Sequence, residues 1–129
     1  MTTTKGTGNM KPTIYIAGPM RGRPDFNRSA LKAAAARLPA RGWQPINPVD
    51  IENIYPCVED EDSGALNRPA LFDLMAIERE FVGHADAIYL LDGWNASVGA
   101  RGELRTYLCK GCGCVFLESN GTPDAASIG

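Results

Sequence analysis

The segment Ser97-Val98-Gly99-Ala100-Arg101-Gly102-Glu103 sets one carboxylate just inside the start of an expected helix, directly after the apolar run Asp86-Ala-Ile-Tyr-Leu-Leu-Asp92. A short, nearly continuous apolar run is the pattern of a strand covered on both faces of a parallel sheet. Ligands of open α/β sheets bind in the crevice beyond the carboxyl ends of such strands, where helix N-termini offer free N–H groups and positive potential to anions. Glu103 is therefore expected to stay ionised and able to attack. The alternative is a first-turn acid placed only to oppose the helix dipole.

A second carboxylate, Glu78, points into an apolar stripe. On the helix expected from Pro69 to about His84, Leu71, Leu74, Met75, Phe81, Val82 and Ala85 share one direction, with Glu78 at its centre and Asp73 and Glu80 on the opposite side. Burying an unpartnered charge is expensive, so Glu78 is ion-paired with Arg21, Arg101 or Arg105, or it is protonated or lines a cavity as an acid or base. Ala100, Leu104 and Tyr107 share the side of Glu103 and are expected to turn inward with it. Two carboxylates in one crevice titrate apart, one ionised near a helix N-terminus and one kept protonated by desolvation. That division suits displacement at an acetal-like carbon, such as C1′ of a nucleoside, where one carboxylate attacks and the other protonates the leaving group.

These groups need a frame of alternating strands and helices. Lys11 to Gly18 reads as a first strand, ending in the turn Gly18-Pro19-Met20-Arg21-Gly22. A helix follows, with Asp25 as N-cap and Phe26, Ala30, Ala34 and Leu38 along one face, until Pro39 and Gly42 stop it. Trp43 to Pro48 is a short second strand weakened by prolines, and Val49 to Asn67 an acidic connection, a solvated loop or a lid, containing Glu59-Asp-Glu-Asp62. The helix from Pro69, the strand Asp86 to Leu91, a helix from Gly99 to Lys110 and a strand Cys112 to Leu117 complete the order. The expected fold is α/β, a Rossmann-like or flavodoxin-like three-layer sandwich on a four- to five-stranded parallel sheet. A flexible leader is expected over residues 1–12, the domain over 13–117 and a fraying tail over 118–129.

Bulk properties point to a small solute as partner. The chain has 129 residues, 44% hydrophobic and 22% charged, with a net charge of -2, which gives no electrostatic case for nucleic acid or a membrane surface. No apolar run approaches the roughly 20 residues of a membrane span, and Met1-Thr-Thr-Thr-Lys-Gly-Thr-Gly lacks the core of a secretory signal, so a cytoplasmic protein is expected. Cys109, Cys112 and Cys114 resemble half of a zinc site whose other half is missing, leaving Cys57 and the lone His84. Small buried thiols are the expected reading.

Two motifs, Tyr15-Ile-Ala-Gly18-Pro-Met-Arg21-Gly22 and Ser97-Val-Gly99-Ala-Arg-Gly-Glu103, resemble the nucleoside 2-deoxyribosyltransferase superfamily, which also contains the 2′-deoxynucleoside 5′-phosphate N-hydrolases. Gly93-Trp94 followed by Ser97-Val-Gly99-Ala100 is similar to a short branch, domain of unknown function 4406, and the resemblance spans about residues 13 to 117. It implies a glutamate that attacks C1′, with the base released to water or exchanged for another. Glu103 matches that nucleophile, Tyr15 the aromatic residue near nucleophile and sugar, and Ser97 a phosphate-contacting serine of the hydrolases. Glu78 stands where the family usually carries Asp in its catalytic role. The implied substrate-binding set is Gly18, Pro19, Met20, Arg21, Gly22, Trp94, Ser97, Gly99 and Arg101.

Pro19 departs from the Gly-Ser-x-Arg-Gly of the N-hydrolases and is more like the transferases that take unphosphorylated nucleosides. Arg21 and Arg101 still offer charge-assisted donors to a phosphate, with a surface role as the alternative for Arg21. Trp94 either stacks on a base or is a core aromatic. The implied function is cleavage of the N-glycosidic bond of a 2′-deoxynucleoside or its 5′-monophosphate, with no metal or organic cofactor, in a homodimer or larger assembly. A nucleotide-binding sensor that has lost turnover is the alternative.

Overall fold

The computed structural model describes residues 11–54, 68–111 and 113–128, with backbone alone at 53–54 and 68–75. Strands β1 (Thr13–Ala17), β2 (Gln44–Ile46), β3 (Ala87–Leu90) and β4 (Cys114–Leu117) form one four-stranded sheet in the order β2-β1-β3-β4, parallel throughout. Helices α1 (Arg28–Arg37), α2 (Pro48–Ile54), α3 (Arg68–His84) and α4 (Val98–Leu108) connect them. The architecture is the α/β sandwich of Rossmann-like or flavodoxin-like type.

Because successive strand residues face opposite ways, the two central strands feed two cores. Tyr15, Ala17, Ile88 and Leu90 meet Val82, Ala85, Ala100 and Tyr107, and so carry α3 and α4. Ile14, Ile16, Ala87, Tyr89 and Leu91 meet Leu31, Ala34 and Leu38 of the α1 side, together with Trp43. The Tyr107 hydroxyl ties α4 to the sheet, donating to the Asp86 carbonyl at 2.8 Å and accepting from the Cys114 N–H at 2.8 Å. A Cβ at Gly113, where φ is +149°, would run into that hydroxyl.

Several expectations are corrected. Asp25 does not cap α1, which begins at Arg28. Asp25, Phe26 and Asn27 instead take left-handed backbone, with φ of 48, 55 and 61°, a conformation that costs non-glycine residues on the order of 1 kcal/mol each. The Asp25 carboxylate accepts from Ser29 Oγ at 2.6 Å. Starting later rotates the buried face, so that Leu31 joins Ala34 and Leu38 while Ala30 is exposed.

The connection after β2 is not a loop at its start. Pro48 is the first residue of α2, where its missing N–H costs nothing, and Asn47 Oδ1 accepts from Val49 N–H at 3.0 Å. The acidic run Glu59–Asp62 lies outside the described residues, as do residues 1–10, Cys57 and Cys112. Val82 of α3 and Ala85 just beyond its end are buried, whereas Phe81, about 60° from the Glu78 direction at the stripe's edge, is 42% exposed. The side chains of Leu71, Asp73, Leu74 and Met75 lie outside the described set.

Cys109 is exposed and Cys114 partly buried, so the buried-thiol reading fails at Cys109. The end of the chain is docked rather than frayed as far as residue 128. The Trp43 indole donates to the Pro123 carbonyl at 3.0 Å, Glu118 pairs with Arg37 at 3.3 Å, and Ala125 and Ile128 pack on the α1-side core. Among the described residues, no helix is long and apolar enough to cross a membrane.

Candidate active site

Tyr15, on central strand β1, is fully buried on the α3/α4 face, and its hydroxyl donates to Glu103 Oε2. Glu103 reaches it because Ser97 fixes where α4 begins: its Oγ accepts from Ala100 N–H at 3.1 Å, as an N-cap serine does. Counting from that cap, Glu103 is the sixth helical residue, and the first turn of α4 contains no acid. Helix-terminus potential fades within one turn, so it does not serve this carboxylate. The expectation of an ionised Glu103 is thereby corrected, as is the alternative of a dipole-opposing acid. Burial pushes its pKa up to about 8; the Tyr15 hydrogen bond pulls it down, and the charges of Glu78 and Glu52 push it further up.

The charge of Glu78, on α3, is felt at both Tyr15 and Glu103. The Glu78 pKa is pushed up to about 7, first by burial, then by the Glu52 charge, with Arg21 opposing. Among the described residues no hydrogen bond or ion pair reaches Glu78. Of the three candidate arginines, Arg21 is the one whose charge is felt there. The Tyr15 hydroxyl is held well above its ordinary value by burial and then by Glu103, which keeps it a donor.

Glu52 is the residue that sequence reasoning missed. It projects from α2, is raised by burial, and is restrained by Arg28, whose Nη2 lies 3.4 Å from Glu52 Oε1. The Arg28 guanidinium also sits 5.0 Å over the Phe26 ring. Asn47-Pro48, a cap residue before a helix-opening proline, is the signal that reveals α2 and hence Glu52.

The glycine-rich turn after β1 lies against the loop after β3. A Cβ at Gly18 would approach Leu91 Cβ to 3.0 Å. Gly93 has φ +90°, and a Cβ there would strike the Arg23 guanidinium and come within 3.2 Å of Pro19 Cγ. Met20 packs on the α1-side core, while Arg21 and Gly22 are exposed. Gly99 is exposed in the first turn of α4, where the N–H groups of Val98 and Gly99 have no intrahelical acceptor.

Trp94 and Arg101 are not gathered around Glu103 by the hollow they line. With Leu104, Arg105, Leu108 and Cys109 they border a cavity of ≈ 440 Å³ along α4, and Trp94 also packs on the α3/α4-side core. Among the described residues, no group of three His, Cys, Asp or Glu could hold a metal ion. Two carboxyls raised toward neutral pH, Glu78 and Glu103, beside a buried phenol are equipped for nucleophilic and proton-transfer chemistry.

The sequence matches the family described as Domain of unknown function (DUF4406) over residues 12–116. That is most of the chain, which therefore belongs to this family. No curated protein matches it.

Proposed function

We propose that this member of the DUF4406 family cleaves the N-glycosidic bond of a 2′-deoxynucleoside or its 5′-monophosphate, by hydrolysis or base exchange. The observation that carries the reading is the Tyr15–Glu103 hydrogen bond with the charge of Glu78 felt at both residues. The ionised Glu103 attacks C1′, the C1′–N bond breaks, and its electron pair leaves with the base, which takes the proton of Glu78. The resulting glycosyl ester yields to water, whose proton returns to Glu78, or to a second base. Tyr15 orients the nucleophile. Ser97 Oγ, still able to donate while it caps α4, and the open N–H groups of Val98 and Gly99 suit a 5′-phosphate.

The required state pairs an ionised Glu103 with a protonated Glu78. From their values of about 8 and about 7, it is a minority of free sites near neutral pH. Developing positive charge at C1′ favours it further. The rate is expected to peak near pH 7.5 and fall on both sides.

The test is chromatography for free base after incubation with a panel of deoxynucleosides and their 5′-monophosphates, with and without an acceptor base. Release by the wild type and not by Glu103→Ala is expected. No release from any substrate refutes the reading and favours a binding sensor.

A further inference from the structure

A second cavity, of ≈ 350 Å³, opens between α1 and the start of α2, lined by Arg28, Ser29, Lys32, Asn47, Val49 and Asp50. None of Tyr15, Glu78 and Glu103 lines it, and its neighbour Glu52, on α2, links it to their site through charge. Asn47 is the buried polar residue among those described, only 6% exposed. Its Oδ1 accepts from Val49 N–H at 3.0 Å, which fixes the amide orientation and leaves Nδ2 with two N–H groups and no acceptor among the described residues. A buried donor in that condition carries an unrecovered desolvation cost, which an acceptor ligand would offset.

The other lining groups sort by hydrogen-bonding capacity. Arg28 and Lys32, four residues apart, stand on one side of α1. Arg28 gives one contact to Glu52 at 3.4 Å and retains further N–H donors, and Lys32 has no partner among the described residues. Two groups accept instead: the Asp50 carboxylate, and Ser29 Oγ, whose proton goes to Asp25 at 2.6 Å. Two cations and an amide call for an oxyanion, while Asp50 and Ser29 call for an O–H on that same ligand.

We propose that this cavity binds a phosphate that retains a proton, as inorganic phosphate or a phosphomonoester, through Arg28, Lys32 and Asn47 Nδ2, with Asp50 accepting its O–H. Sulfate has the same shape and no proton to offer near neutral pH, so Asp50 repels it. Because Arg28 also neutralises Glu52, the ligand draws on a cation that the carboxylate cluster shares.

The test is calorimetric titration of the full chain at about pH 5, about a unit below a monoester's second pKa of about 6, so that both phosphate forms keep a proton, with inorganic phosphate, methyl phosphate and sulfate at matched ionic strength. Saturable one-to-one binding of a phosphate, at least tenfold tighter than sulfate, is expected. Methyl phosphate binding as well as the free ion assigns the site to monoesters; its exclusion assigns it to inorganic phosphate. Lys32→Gln is expected to weaken binding about tenfold. Asn47→Asp, which keeps the acceptor for Val49 N–H and replaces the free donor by an anion, is expected to abolish it. The proposal is overturned if phosphate does not saturate, if sulfate binds equally well, or if both variants, with unchanged unfolding temperatures, bind like the wild type. None of these readouts depends on turnover.

Discussion

Replacing Glu103 by Gln should stabilise the protein, and increasingly so as the pH rises. The folded chain holds a proton on Glu103 up to about pH 8, whereas the unfolded chain releases it near 4.5. Stability from this group is therefore complete below pH 4.5 and drains away as the pH climbs to about 8. Each pH unit in that window removes about 1.4 kcal/mol, about 5 kcal/mol in all as an upper bound. Glu103 retains some solvent contact, which reduces the expected gap to about 2–3 kcal/mol at pH 8. Gln cannot ionise, keeps the volume, and still offers an oxygen to the Tyr15 hydroxyl. Urea denaturation of wild type and Glu103→Gln between pH 5 and 8.5 should give nearly coincident stabilities at the acid end and diverging ones above it. Glu78→Gln should open a smaller gap that levels off near pH 7. Parallel curves, or a variant less stable than wild type at pH 8, would refute the account of a desolvated carboxyl.

Two further predictions concern the buried phenols. Tyr15→Phe removes the hydrogen bond that holds the Glu103 pKa down. Because the active state needs Glu103 ionised and Glu78 protonated, the alkaline limb of the kcat/KM profile, set by the higher of the two values, should move to higher pH and the rate at pH 7 should fall; an unmoved alkaline limb would exclude a role for Tyr15 in ionising Glu103. Tyr107→Phe strands the Asp86 carbonyl and the Cys114 N–H, for an expected loss of about 1–3 kcal/mol in denaturant unfolding at any pH.

The apolar runs of β1 and β3 were legible because buried strands repeat their apolar residues, and of the expected α3 stripe Val82 and Ala85 are buried while Phe81 is not. Glu103 and Tyr15 met as their motifs imply. The raised pKa of Glu103 was not legible, since its main cause is burial, which depends on how α4 packs on the sheet, and the helix end that would oppose it lies more than one turn away. Asp25 misled because capping depends on backbone dihedrals, and three successive left-handed residues carry no plain sequence signature. Glu52 was hidden by acidic neighbours that made α2 read as loop. The docking of residues 118–128 was not legible because its contacts are made at long range, the Trp43 indole N–H meeting the Pro123 carbonyl across 80 positions and Arg37 meeting Glu118 across 81.

The two margins of the sheet differ in what they offer a passing strand. At the centre of β2, opposite Ile14, stands Pro45, which has no N–H to donate and so spoils the ladder that an added strand needs. At the other margin β4 has no proline, and Val115 is 41% exposed. Self-association by strand addition, the opening step toward fibrils, is thus discouraged at β2 by covalent structure. At β4 it is limited by length, four residues before the chain turns away at Glu118.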